Sequence, residues 1–277
     1  MFHYSESSRV IVNSASPVKT VDRLVRILDC FSSERPAWSL AELSAHLGLP
    51  KSTLHRFLVS LESHGVLRRE AADRRWRLGY RLSIWGNAAA QSTGLRHVAR
   101  PVMRDLVAAT GETAILTVYH AHEVICIEKV ETSHSVRMTL DVGMRRPPHA
   151  GASSKVLMAY LPEEEIRAIV QDKGLPRLCG NTITDPDELR AELARIRELG
   201  YAESREETDL GAWGVATPIH NQNGDTIAAI GVAGPSSRCT EERVEQYVAL
   251  CRQAARQISA LLGLHPHPNP PPGRGRG

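Results

Sequence analysis

No stretch of this chain is apolar for long enough to cross a bilayer, and its start lacks the apolar core of a signal peptide. Both absences point to a cytoplasmic protein with no membrane partner. The five cysteines (Cys30, Cys126, Cys179, Cys239 and Cys251) are odd in number and never form a CxxC pair. That argues against a disulfide framework and against a cysteine-rich zinc module, and leaves them as small buried hydrophobes. His120 and His122 lie two apart with Cys126 close by and could ligate a metal, but no further ligand of convincing spacing accompanies the pair, so neither a metal nor a cofactor is expected. The nucleophile elbow GxSxG, the zinc motif HExxH and the phosphate loop GxxxxGK[ST] are all missing. An enzyme built on Cys126 or Cys179 with a nearby histidine is the competing reading, and no local signature supports it. The formal charge of only +3 excludes a general coating of polyanion.

What is present is a chain of 277 residues, 42% hydrophobic and 23% charged, with room for two globular domains. It is organised around residues 39–65, SLAELSAHLGLPKSTLHRFLVSLESHG. Ser39 followed by Glu42 is a capping box, and Leu40, Leu43 and Leu47 then share one helical face. Gly48-Leu49-Pro50 breaks that helix. A second helix starts near Lys51 and buries Leu54, Phe57, Leu58 and Leu61. Its opposite face carries Ser52, Arg56 and Ser63, flanked by Thr53, His55 and Ser60, with no acid near the helix start. Hydroxyls and helix N–H groups suit phosphates, and an arginine forks onto guanine.

Two short strands follow, at 66–69 and 76–78, in an arginine-rich hairpin. A helix pair followed at once by a basic hairpin is a winged helix-turn-helix. Ser39, Lys51, Ser52, Thr53, His55, Arg56, Arg74 and Arg75 are the expected DNA contacts. A first helix over 20–31 is expected to bury Val21, Leu24, Val25, Leu28 and Phe31, with Arg23 and Arg26 facing out. Helical segments over 80–93 and 95–110, the second bent or restarted at Pro101, form a connector.

From Ala114 the period falls from 3.6 to 2, predicting strands at 114–120, 124–130 and 135–140. Residues 141–155, DVGMRRPPHAGASSK, form a loop of small residues leading into a short helix at 156–160. Such a loop places backbone N–H groups around an anion, or else merely connects. Helices are expected over 161–173, from Pro186 to a stop at Gly200, and over 241–262. Strands near 201–204, 214–220 and 226–233 complete the domain, the last two joined by the Asn223-Gly224 turn. The expected division is a flexible arm over 1–17, a DNA-binding domain over 18–79, a linker over 80–110, a sensor domain over 111–264 and a disordered tail over 265–277.

The stretches TVDRLVRILDCF, SLAELSAHLGLPKSTLHRFLVSLESHGVLRR, ARPVMRDLVAATGET, RRPPHAGASSKVLMAYLP, ITDPDELRAELARIRELGYA and AAIGVAGPSSR, in this order, resemble the IclR family of bacterial transcriptional regulators over residues 18–263. The resemblance implies an α+β class: an N-terminal winged helix-turn-helix, a dimerising helical linker and a C-terminal GAF-like α/β effector-binding domain. It further implies a homodimer or tetramer on a palindromic double-stranded DNA operator, controlled by a small organic or aromatic acid. The implied pocket draws on residues 138–155, 203–215 and 230–233, with Met138, Leu140, Met144, Gly151, Ala152, Ser153, Ser204, Trp213, Gly214, Gly231 and Ala233 as candidates. Members that bind very small oxo-acids show a cysteine at the position of Gly214, serines at Gly231 and Ala233, and an acid at Ser204. Their loss here implies a wider, less polar pocket, with Trp213 as either a core residue or a stacking wall.

Overall fold

A computed structural model describes residues 18–32, 35–92, 94–138 and 140–264. The expectations for residues 1–17 and 265–277 lie outside them. The chain divides between Ala89 and Ala90 into two compact units.

The first unit opens with α1 (Lys19–Leu28), followed by β1 (Ala37–Trp38), α2 (Leu40–Leu47) and α3 (Lys51–Ser63). The wing strands β2 (Leu67–Arg69) and β3 (Trp76–Leu78) come next, and α4 (Tyr80–Ser92) begins here. The capping box at Ser39 is present: its Oγ accepts from the Glu42 N–H at 3.2 Å, and Glu42 Oε2 accepts from the Ser39 N–H at 2.7 Å. Leu43, Leu54 and Leu58 are fully buried, each contributing about 1.5–3 kcal/mol. Trp38 and Trp76 close the same core.

Two expectations need correction in this unit. The buried stripe of α1 is Leu24, Ile27, Leu28 and Phe31, whereas Val21 and Val25 lie about half-exposed. The first helix therefore sits rotated from its expected pose, because Ile27 is the residue that fits against α2 and α3. The wing sheet also has a third member, since β1 pairs with β3 in the order β1-β3-β2.

The second unit begins with α5 (Leu95–Thr110), which continues through Pro101, and a hairpin of β4 (Thr113–His120) and β5 (Glu123–Val130). Then come β6 (Arg145–Arg146), α6 (Ala152–Ala159), α7 (Glu163–Lys173) and α8 (Pro186–Leu199). It ends with β7 (Ala202–Arg205), β8 (Ala212–His220), β9 (Thr226–Pro235) and α9 (Glu241–Leu264). The strands form one antiparallel sheet in the order β6-β5-β4-β9-β8-β7. One face carries α5 and α9 around Met103, Leu116, Ile230 and Ile258. The other packs α6, α7 and α8 around Val156, Met158, Ile169 and Ile196.

The helix N-terminus at Asp185 is built as its sequence requires, with Oδ1 accepting from the N–H groups of Asp187 and Glu188 at 2.9 Å. Residues 135–140 do not form the expected third strand among the described residues. The edge of β5 is instead met by β6, through Val124–Arg146 and Ile125–Arg145. The Val136 carbonyl accepts from Arg238, whose guanidinium also grips both oxygens of the buried Glu112 carboxylate. Gly234 lies so close that a Cβ there would overlap that carboxylate.

Candidate functional site

Two surfaces gather the functional residues, one in each unit. In the first, the outer face of α3 is free. Lys51, Ser52, His55, Arg56 and Ser60 are exposed, Thr53 is half-buried, and no acid occupies the first turn. Arg56 makes no ion pair among the described residues. The helix thus presents a guanidinium, an imidazole and hydroxyls beside unsatisfied N-terminal N–H groups.

The wing arginines divide by what they touch. Arg68 pairs with Glu70 at 2.8 Å, and Arg77 with Asp73 at 2.8 Å. Arg75 reaches back to Glu42 Oε1 at 3.1 Å and to the Ala37 carbonyl. It braces the wing against α2, and its guanidinium is already engaged. Arg74, at a left-handed φ of 55°, is exposed at the hairpin tip and available for phosphate. The Ser39 hydrogen bonds, aided by Arg75 and Arg35, hold the Glu42 carboxyl below its usual range. Its negative charge therefore persists next to the reading head, answered by those two arginines.

In the second unit a cavity of about 80 Å³ opens between the sheet and the start of α6. Met138, Leu140, Gly151, Ala152, Ser153, Ser204, Trp213, Gly214 and Ala233 all line it. Met144 and Gly231 do not. Met144 turns back on the Asp141 and Cys126 backbone. A Cβ at Gly231 would overlap the Val215 carbonyl, so that glycine serves the close approach of β8 to β9. Gly214 does face the cavity, with an added Cβ 3.3 Å from the Val232 carbonyl and 3.9 Å from Ala152.

The strand alternation that turns Gly214 inward turns its neighbour Trp213 the other way. The Trp213 ring stacks on Tyr247 of α9, with centroids 5.3 Å apart and planes 5° from parallel. It is a core residue whose ring is no stacking wall, and it reaches the cavity lining only through its place in β8. Apolar walls were expected and are supplied by Ile115, Met138 and Leu140, whereas Val215 and Val232 point with Trp213 into the core beneath α5 and α9.

Two charged residues in the lining escaped sequence reasoning. Arg146 and Asp209 pair at 3.0 Å across the cavity wall. The first-turn N–H groups of Ala152, Ser153 and Ser154 precede the Lys155-to-Gly151 bond that starts α6, and so have no helical partner. These unpaired N–H groups and the Arg146 guanidinium, itself held by Asp209, stand together beside apolar walls, an arrangement suited to a carboxylate.

Under this arrangement lies Lys155, only 2% exposed. Its Nζ donates to Glu207 Oε1 at 2.6 Å, Glu192 Oε1 at 2.9 Å and the Glu203 carbonyl at 2.9 Å. Glu207 Oε2 accepts from the Gly151 N–H at 2.9 Å. One buried carboxylate thus joins the α6 start to the segment that contributes Ser204, Thr208 and Asp209.

His122 lies between Glu165 at 3.5 Å and Asp172 at 3.6 Å, away from the cavity. Among the described residues no group of three His, Cys, Asp or Glu side chains converges to hold a metal. Only Cys126 and Cys251 are fully buried, the other three cysteines being half-buried. Burial pushes the Cys126 thiol up to about 11 and that of Cys251 up to about 12, which removes the thiolate needed for nucleophilic chemistry. Both thiols are expected to resist iodoacetamide at pH 8 in the native protein and to react once it unfolds. Mass mapping of the labelled peptides checks this, and rapid native labelling of Cys126 contradicts it.

Comparison with known proteins decides the assignment. Residues 87–260 match the family described as bacterial transcriptional regulator IclR C-terminal, and residues 20–71 match the IclR helix-turn-helix domain. The chain belongs to the IclR family. It is 31% identical to the transcriptional repressor IclR of Escherichia coli K12, over 89% of this chain and 90% of that one. Against the HTH-type transcriptional repressor AllR of the same strain it is 33% identical, over 90% and 92% of the two chains.

An IclR transcriptional regulator from Alicyclobacillus acidocaldarius superposes with a TM-score of 0.81 at 29% identity, covering 90% of this chain and 100% of that one. An IclR homologue from Microbacterium hydrocarbonoxydans, complexed with 4-hydroxybenzoate, gives a TM-score of 0.78 at 31% identity, covering 88% and 99%. Like other IclR-family members, this protein is a DNA-binding transcriptional regulator and not an enzyme. No helix among its described residues is long and apolar enough to cross a membrane.

Proposed function

We infer that this regulator acts in the cytoplasm as a homodimer or higher assembly on a palindromic operator, under control of a compact aromatic monocarboxylic acid. The observation that carries the reading is the unencumbered outer face of α3, with Arg56 free above a fully packed leucine face. Lys51, Ser52, Thr53 and His55 join it, and Arg74 supplies the wing contact. The exposed Tyr80, Ile84 and Trp85 of α4 support a dimerising role for the linker.

The acid's carboxylate would meet the N–H groups at Ala152–Ser154 and the guanidinium of Arg146, and its ring the walls of Ile115, Met138 and Leu140. The relative complexed with 4-hydroxybenzoate supports an acid of this kind. By favouring one arrangement of the sensor, the ligand shifts how often both heads of a dimer engage successive major grooves.

Fluorescence anisotropy against the DNA upstream of the protein's own gene, across a salt series and beside a scrambled duplex, tests the reading. The expected result is a preference of about a thousandfold for the native fragment, altered by 4-hydroxybenzoate or benzoate. Equal, weak, steeply salt-dependent binding to both duplexes speaks against a specific regulator at that site. Tight binding of glyoxylate with no binding of either aromatic acid rules out the effector class.

A further inference from the structure

A second cleft, of about 370 Å³, lies in the sensor unit apart from the cavity at α6. Its volume falls within the range of about 300–1,000 Å³ usual for small-molecule sites. One wall is α9, where Arg252, Arg256 and Ser259 stand at i, i+4 and i+7 and so share a face. The opposite wall is the end of β8 with His220 and Asn221, together with Tyr160 at the end of α6. No acidic side chain lines this cleft. Asp225, which meets it only through Asn221, is engaged there by the Asn221 amide at 3.0 Å.

The basic groups are set out differently. Arg252 is anchored, donating to the Leu199 carbonyl at the end of α8 and lying over the Tyr201 ring at 5.3 Å. Arg256 is exposed and makes no ion pair or hydrogen bond among the described residues. His220 is fixed by Thr226 Oγ1 on Nδ1 at 3.1 Å and by the edge of Tyr160 at 5.5 Å, which leaves Nε2 for a ligand. A fixed guanidinium, a free one a helical turn away and an oriented imidazole, with a phenol, an amide and a hydroxyl around them, describe a receptor for a compact, oxygen-rich dianion.

We propose that this cleft is a second ligand site of the regulator, and that it takes a small dianion, a phosphomonoester or a dicarboxylate. The cleft opens to solvent but draws its lining from three elements within a limited volume, which suits a metabolite better than an extended polyanion. It shares β8 with the first cavity, through Thr217 and Pro218 on one side and Val215 and Ala216 on the other. Occupancy of either therefore bears on the same strand.

Calorimetric titration of the full chain with inorganic phosphate, and separately with succinate, at ionic strength held constant with chloride, provides the test. Saturable binding of at least one anion, one per chain, is expected, and whichever binds more tightly identifies the ligand source. Arg256→Gln should weaken it tenfold or more, and it should leave the fold intact because Arg256 holds nothing else in place. Ser259→Phe, which fills the cleft without removing a charge, should block binding. The absence of saturable binding for both anions, or binding that both variants leave unchanged, overturns the proposal.

Discussion

Replacing Lys155 by methionine is expected to destabilise the protein by about 3–5 kcal/mol, the range for stripping one partner from a buried ion pair. Lys155 and Glu207 are 2% and 8% exposed, so little solvent is present to answer the carboxylate left behind. For a unit of this size that corresponds to a fall in Tm of about 6–20 °C. Pairing the change with Glu207→Leu should recover much of the loss, since it is the unpaired charge that costs most. A loss below about 1 kcal/mol for Lys155→Met in urea unfolding would falsify the role given to this network.

Acid should loosen the same network. Burial alone raises the Glu192 carboxyl, but hydrogen bonds from Arg195 and Lys155 outweigh it and hold the group below its usual 4.5. A carboxyl depressed on folding contributes stability that is fully present above its unfolded value. That contribution disappears as the pH falls through the lower, folded one. Acid unfolding of the sensor unit should therefore sharpen below about pH 4.5, and Glu192→Gln should blunt that dependence.

The second large effect belongs to the reading head. Arg56→Ala should weaken operator binding by about 1–3 kcal/mol, roughly 5- to 150-fold, and flatten discrimination at one base pair. The truncation costs the fold little, because Arg56 is exposed and pairs with nothing among the described residues. Arg74→Ala is its contrast: affinity should fall almost equally on all sequences, and the salt slope should drop by about one. Anisotropy on the operator and on single-base variants separates the two. An Arg56→Ala protein with undiminished selectivity would move base readout to another residue.

Much of the fold was legible because its signals are local. Ser39 and Glu42 mark one helix start, Asp185-Pro186 another and Gly200 a helix end, and each acts within a few residues of itself. What was illegible depends on partners far along the chain. Val21 and Val25 fit an apolar stripe as well as Leu24 and Leu28 do, and only packing of Ile27 against α2 and α3 decides the rotation of α1. Residues 135–140 alternate like a strand, yet Arg238, 102 positions away from Val136, takes the carbonyl a neighbouring strand would use.

The cavity divides along the same line. Its loop of small residues was visible, whereas the Arg146–Asp209 pair spans 63 positions and left no trace in spacing. Gly231 reads in sequence as a missing side chain in a pocket, but only the register of β8 against β9 reveals that it is a contact between strands.

Glu112, Gly234 and Arg238 carry a last consequence, for how such a protein diverges. The carboxylate is buried under a bidentate guanidinium, and it occupies the space that any Cβ at position 234 would need. A change at 234 alone must push the Glu112 carboxylate aside and so disturb its pair with Arg238, and a change at 112 alone leaves Arg238 without its buried partner. The three positions are coupled, so a change at one disturbs the other two. Across descendants of this fold they should be inherited or replaced as a set, and a lineage with a side chain at 234 should have given up both charges.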